Sequence, residues 1–362
     1  MPAASTSRAI QLDGLRAFAM LGICWDHWVP EAQAYRPPYE IGLYYFLVLT
    51  GYFITGSLLR IRDRAEANSA GGKWRWQAWK DFQWRRGLRI IAPYYVALAI
   101  AFIFLAPTLW HNIHWYLLCL SNFHMALLGE WPTGTSHFWS IAIQQQFYIF
   151  WPLVIWLTPK RLLPVAMILF AAMAPLSRYF DYLFMPPFIW PDKISWSVFD
   201  FFGSGGLMAL LIHRGFPLSS RLWKILMVVC GVTYLGLFFG PHFGLPPNRI
   251  GPFYNVILSV ALCGVIATAS QGWRNIAGRL LETASLQKIG LLSYGIYLYH
   301  NLAPVILGKI LPFLWWGPYA ESIPQIAIRV VCTAAITWAM TLVSWKYLET
   351  PLNAIRAKSL IR

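Results

Sequence analysis

What most constrains this chain is the recurrence along it of apolar runs of about 17 to 22 residues, the length that crosses a hydrocarbon core of roughly 30 Å as helix. About ten such runs stand out, at 14–30, 41–59, 88–107, 138–157, 162–179, 197–212, 222–240, 251–269, 289–310 and 325–345. Of its residues, 58% are hydrophobic and only 12% charged, where a water-soluble domain carries roughly 25% charged. The expected fold class is an all-α integral membrane protein with about ten transmembrane helices. A shorter stretch, 113–127, carries His114, Asn122 and His124 and reads as a re-entrant or interfacial piece.

With ten spans the two termini share one side, and about 23 of the 29 Lys and Arg residues fall there. By the positive-inside rule both termini are expected in the cytoplasm. The net charge of +15 is then mostly an orientation signal, and a nucleic-acid partner is unnecessary. A cytoplasmic basic loop at about 60–87, continued to Arg89, exceeds what orientation requires, which suggests a binding role. No cleavable signal peptide is visible. Residues 1–362 read as a single membrane domain with no appended soluble domain. The five cysteines are scattered without metal-ligand or disulfide spacing, and no metal is expected.

Ionisable and polar groups inside spans are rare and functional more often than not, so they direct the search. In "LDGLRAFAMLGICWDHW" Arg16 and His27 stand eleven residues apart, about 16 Å of rise and nearly three turns, on one helix wall. A guanidinium suits phosphate or carboxylate, and an imidazole takes and returns a proton near neutral pH. The plainer readings are a snorkelling anchor for Arg16 and an interfacial histidine for His27.

"WRRGLRIIAPYY" puts Arg86 and Arg89 at i and i+3, with Arg85 beside them, at the expected start of a span. There the helix N-terminus would add its positive dipole for a phosphate, or for a lipid headgroup. "LLSYGIYLYHNLAP" carries Ser293, Tyr297 and His300 in an apolar run, a second polar cluster at a depth similar to that of His27. "HFWSIAIQQQFYIFWP" sets Ser140, Gln144 and Tyr148 at i, i+4 and i+8, a stripe able to line a cavity. Gln145 and Gln146 turn away, toward neighbouring helices or backbone.

Together these pieces resemble the membrane-bound acyltransferase family 3, whose members acylate sugars and other hydroxyl acceptors. "LDGLRAFAML" leading to His27, "TGYFITGSLL", "RRGLRIIAPYY", "HFWSIAIQQQFYIFWP", "SYGIYLYH" and "YLETPLN" match its blocks in order, from residue 12 to about 353. The departure is Gln144 and Gln145, which stand where the family usually has glutamates; an amide cannot carry charge or accept a catalytic proton.

The resemblance implies an O-acyltransferase of the bacterial inner membrane that takes an acyl group, most often acetyl, from acetyl-CoA on the cytoplasmic side. The acceptor would be a hydroxyl of a cell-surface or exported glycan or a lipid-linked sugar, with membrane lipids around. Arg16, Arg86 and Arg89, supported by Arg85, would bind the donor. His27 would be general base, or would carry the acyl group itself, with Tyr148, Gln144 or Tyr297 as orienting partners. Ser140, Ser293, Tyr297 and His300 would line the cavity. Two other readings stay open: a transporter or flippase using Arg16, His27 and His300, and a catalytically silent relative.

Overall fold

In lipid every backbone N–H and C=O must be satisfied within the chain, and the apolar runs meet that demand as helices. The computed structural model describes residues 10–29, 38, 40–68, 71–184, 190–243, 251–312 and 322–358. Among these it shows helices and no strand.

α1 (Ile10–Trp28) and α2 (Glu40–Ala67) are followed by α3 (Trp74–Arg86), which runs through a π turn (Gly87–Ile91) into α4 (Ala92–Leu109). Two short helices, α5 (Ile113–Leu117) and α6 (Ser121–Leu128), occupy the stretch read as re-entrant or interfacial. Then come α7 (Phe138–Leu157), α8 (Leu163–Phe184), α9 (Phe199–His213), α10 (Arg221–Phe239) and α11 (Gly251–Ser270). The chain closes through α12 (Ile276–Leu281), α13 (Ala284–Tyr299), α14 (Ala303–Ile310) and α15 (Ile323–Ser344), then a second π turn (Trp345–Glu349) and α16 (Thr350–Lys358).

Seven helical segments among the described residues are long and apolar enough to cross a membrane. They turn apolar side chains such as Val228, Val229 and Val232 of α10 outward, as lipid-facing helices do. The chain is an all-helical, multi-pass membrane protein. The expected spans 14–30, 138–157 and 289–310 are not among the seven. Each is interrupted chemically: α1 by Asp13, Arg16 and Asp26, α7 by its three glutamines, and the third by a break between α13 and α14. The residues at both ends of the chain, 1–9 and 359–362, lie outside the described residues, as does Pro30 at the end of the first expected span.

Three sequence expectations need correction. The basic stretch 60–87, read as a loop, is mostly helix: α2 continues to Ala67 and α3 starts at Trp74. Because α3 flows into α4, Arg86 has no helix N-terminus beside it; the Gly87 N–H is already engaged by Gln83 and Trp84 carbonyls. The dipole argument therefore does not apply there. The run 289–310 is two helices. Pro304 has no N–H for the carbonyl four residues back and its ring crowds that carbonyl. The carbonyl belongs to His300, and the Trp28 indole donates to it at 2.8 Å.

The same rule shapes α7, which contains Pro152. The carbonyl that Pro152 leaves free is that of Tyr148, and Gln83 Nε2 donates to it at 2.8 Å. Trp79 and Arg75, one and two turns earlier on α3, donate to Ile149 and Trp156 carbonyls. Arg62 Nη1 donates to those of Ile155 and Thr158, each at 2.7 Å. The amphipathic α3 is thus stitched along α7, and the stitching fixes Tyr148. Beyond the helix, Lys160 bonds Asp63 and Glu66, which raise its pKa, Asp63 first.

Close approaches place the rest. A Cβ on Gly51 would strike the Phe202 carbonyl, and one on Gly205 the Val48 carbonyl, so α2 and α9 meet backbone to backbone. At the opposite end from Lys160, Arg178 of α8 donates to Asp200 at 2.6 Å, to the Ser197 carbonyl at 2.5 Å and to the Pro252 carbonyl at 2.9 Å. That buried ion pair ties α8, α9 and α11 together.

Candidate active site

α1, α7 and α13, whose apolar runs are broken by polar groups, converge. Arg16 of α1, Ser140, Gln144 and Tyr148 of α7, and Ser293 and Tyr297 of α13 line one cavity of about 240 Å³ with Arg86 and Arg89. The i, i+4, i+8 stripe on α7 does what its spacing predicts and faces this space. Gln144 Nε2 donates to Thr50 Oγ1 of α2 at 2.9 Å.

The arginines are held, each differently. Arg16 Nη1 pairs with Asp13, one turn earlier, at 2.8 Å, and its guanidinium lies 5.9 Å from the Phe53 ring. Arg86 rests over the rings of Phe82 and Tyr148 at 5.5 and 5.4 Å, a cation–π seat that leaves its N–H groups for a ligand. Arg89 stands on the π turn, whose Ile90 carbonyl accepts from Tyr294 Oη at 2.6 Å. Arg356 of α16 is close enough to repel both Arg86 and Arg89, and the buried Glu349 of the second π turn attracts Arg89. Arg85, a neighbour in sequence, is not among the lining residues.

Both π turns end two residues before a proline, at Pro93 and Pro351. Each proline lacks the N–H that would continue the ladder, and a wider turn resets it.

At the inner end of the cavity the Tyr297 and Ser140 hydroxyls are 2.5 Å apart, and both reach the His137 carbonyl, at 3.0 and 3.1 Å. Behind them lies a cluster of three histidines. The His300 ring packs on His27 and on His137, with centroids 4.9 Å apart in each case, and Tyr297 touches both His137 and His300. His137 Nε2 donates to the Leu298 carbonyl at 3.1 Å and His300 Nδ1 to the Tyr297 carbonyl at 2.7 Å. Those bonds fix the tautomers. Among the described residues His137 Nδ1 and His300 Nε2 are then buried without a partner.

His27 is not among the residues that line the arginine cavity. It lines a second cavity, also about 240 Å³, with Trp131, Ser136 and Asn301. Arg16 and His27 do share a helix wall, but at two depths that open to two spaces. The His300 ring packs against His27. His300 itself is fully buried between the two spaces. Gln146 behaves as inter-helix glue, bonding the Cys119 carbonyl, Asn122 and Ser195, whereas among the described residues Gln145 Nε2 is buried without a partner.

Sequence reasoning missed His137, although it opens the quoted α7 stretch, together with Thr50, Trp131, Glu349 and Arg356. A histidine one residue before a helix gives no periodic signal, and Arg356 and Glu349 reach the site only through the packing of α16 against the first π turn. Among the described residues no three His, Cys, Asp or Glu side chains form a metal-binding group.

Comparison with known proteins gives a consistent picture. The family model described as "Acyltransferase domain" matches residues 10–345. The chain is 25% identical to the peptidoglycan O-acetyltransferase OatA of Listeria monocytogenes over 94% of its own length and 55% of the relative's. It is 23% identical to the putative peptidoglycan O-acetyltransferase YrhL of Bacillus subtilis, covering 97% of this chain and 56% of that one. To the O-acetyltransferase OatA of Staphylococcus aureus it is 25% identical, over 94% and 57%. The chain thus spans about half the length of the curated relatives it matches. No solved structure matches.

Proposed function

From the premise that the chain belongs to the acyltransferase family, whose model covers it almost end to end, we propose that it is an O-acetyltransferase moving acetyl from acetyl-CoA to a glycan hydroxyl across the membrane. The observation that carries this reading is the meeting of two chemically different cavities at one histidine cluster. One is lined by Arg16, Arg86 and Arg89, fit for the phosphates of coenzyme A. The other reaches His27. The relatives' names make a cell-wall glycan the first acceptor to try.

In this reading α1, α7 and α13–α14 also cross the bilayer, for about ten crossings in all. Their polar sides face inward, which is where intramembrane polar residues are tolerated. Both termini and the basic α2–α3 region lie in the cytoplasm, the whole chain acts as one membrane unit, and the membrane is the bacterial inner one. Non-helical backbone at membrane depth, as at His300–Leu302, lines a cavity.

The adenine and phosphates stay at the arginine mouth, with Arg356 adding charge, while the thioester end reaches toward Ser140 and Tyr297. His27 takes the proton of the acceptor hydroxyl as its oxygen attacks the thioester carbonyl. The C–S bond breaks and coenzyme A leaves as thiolate, to be reprotonated. His300, with its tautomer fixed by the Tyr297 carbonyl, orients His27. Gln144, bonded to Thr50, shapes the cavity without proton transfer, and Tyr148 seats Arg86.

The wall formed by Tyr297, His137 and His300 favours a second reading, in which His27 carries the acetyl group between the cavities. Purified protein given radiolabelled acetyl-CoA and cell-wall glycan should transfer label, and His27→Ala should abolish transfer. Undiminished transfer by that variant would sink the assigned mechanism. Release of coenzyme A in a burst without acceptor, with label retained on the protein, would select the covalent route.

A further inference from the structure

We infer that the second cavity is the acceptor subsite and that it is built for a single uncharged sugar ring, with Trp131 as the stacking platform and Asn301 with Ser136 as the hydroxyl readers. The inference rests on the acetyltransferase reading and names the place where that reading's acceptor binds.

The two cavities divide by charge. The first is lined by three guanidinium groups, whereas among the described residues that line the second His27 is the one ionisable group. A phosphate or carboxylate meets no guanidinium or ammonium among the described lining residues, since Lys193, beside Trp131, is already paired with Asp192, and a neutral polyol finds what it needs. A pyranose has faces of C–H groups and a rim of hydroxyls that both donate and accept. The C–H face calls for an amphipathic ring such as indole, and the rim calls for mixed donors and acceptors at a few fixed points.

Trp131 supplies the first. Its side chain is 51% exposed, yet it is braced: the Trp190 ring is 5.2 Å away and the Lys193 ammonium 5.0 Å from its centroid. A large indole held open to solvent in a fixed place is suited to stacking. Asn301 and Ser136 supply the second, joined by an Asn301 Nδ2 to Ser136 Oγ bond of 2.7 Å, so an amide and a hydroxyl are presented side by side.

Both readers are fixed by local backbone. Asn301 lies in the break that Pro304 imposes. Ser136 follows Gly134, whose φ of +74° suits glycine, and where a Cβ would press on Val305 and Leu105. The loop 133–136 is therefore seated against α14, with no room to drift. The volume, about 240 Å³, is below the range of roughly 300–1,000 Å³ usual for drug-sized ligands and matches one ring of a longer glycan lying outside. His27 opens onto the same space, so a hydroxyl of the stacked ring is delivered to the group assigned as base.

The test uses the full chain in detergent or nanodiscs with the neutral β-1,4-linked disaccharide of N-acetylglucosamine as probe. Trp131→Ala should raise the acceptor KM by about tenfold or more and Asn301→Ala by roughly fivefold, with the acetyl-CoA KM within about twofold of wild type. Trp131→Tyr, which keeps an amphipathic ring, should restore most of the affinity. Saturation-transfer NMR measures contact with the disaccharide independently of catalysis: wild type should show transfer to the sugar C–H protons and Trp131→Ala should lose it. An unchanged acceptor KM and unchanged NMR contact in both alanine variants, with wild-type thermal stability, would overturn the subsite. If wild type binds the disaccharide through Trp131 but never acetylates any glycan, the subsite stands and the acetyltransferase reading falls.

Discussion

Ser140 and Tyr297 hold their hydroxyls 2.5 Å apart at the inner end of the arginine cavity, and Tyr297 is the next ring to His300. That contact is the last polar link between the space read as the donor site and the histidine that packs on His27. Tyr297→Phe keeps the ring and removes the link. It should lower kcat by about 10- to 100-fold, with both KM values little changed, because the reacting ends are misplaced rather than unbound. Steady-state kinetics over both substrates checks this, and a pure KM effect would contradict it.

Arg86 sits over Phe82 and Tyr148 and carries charge into the cavity. Arg86→Ala should raise the dissociation constant for coenzyme A by about 10- to 100-fold, the range of one or two charge-assisted hydrogen bonds. Arg86→Lys should recover only part, since an ammonium cannot fork on a phosphate. Calorimetric titration with coenzyme A reads both.

Gln144→Glu restores the residue type usual in the family. Thr50 can donate to a carboxylate, so the fold should hold with a melting temperature close to wild type. The new negative charge would compete with the donor's phosphates for Arg86 and Arg89, and the acetyl-CoA KM should rise several-fold while kcat stays within about threefold. A tenfold gain in kcat would instead show that a carboxylate had been wanting.

Trp28 satisfies the one carbonyl that Pro304 frees at His300. Trp28→Phe leaves that buried acceptor unpaired and should cost about 1 to 3 kcal/mol of stability. It should also lower activity by loosening the turn that carries His300 and Asn301. Thermal unfolding in detergent and the transfer assay report the two effects separately.

Arg178 and Asp200 form a buried pair remote from the arginine cavity. Asp200→Asn removes the countercharge and leaves the buried guanidinium with neutral acceptors alone, which should cost about 3 kcal/mol, the low end of the penalty for breaking such a pair. Thermal unfolding of the purified protein is the check, and a shift in coenzyme A affinity at a permissive temperature is not expected.

How much of this was legible beforehand depends on range. Helix positions are local, and α7 at Phe138–Leu157 coincides with the run read from apolarity alone. The stripe Ser140, Gln144, Tyr148 also faces its cavity as read, because helical periodicity alone decides it. The join between α3 and α4 was not legible, since the charged residues around Arg86 mimic a loop while forming helix. Nor was the separation of Arg16 from His27 into two cavities. A shared helix face says nothing about the partitions that Tyr297 and His300 build from another helix. His137 was passed over because its role comes from a neighbour 163 residues along, His300, with which it shares a ring contact.

The π turn at Gly87–Ile91 works as a phase shifter. Inserting the equivalent of one residue, it rotates α3 by about 100° relative to α4. The face that α3 stitches to α7 and the face that α4 shows to the bundle can then be chosen separately. Arg86 stands just before that offset and Arg89 within it, so their common aim is a property of the insertion as much as of their spacing. A single-residue deletion here would leave composition, charge and helix content nearly intact while pointing the two guanidinium groups in different directions.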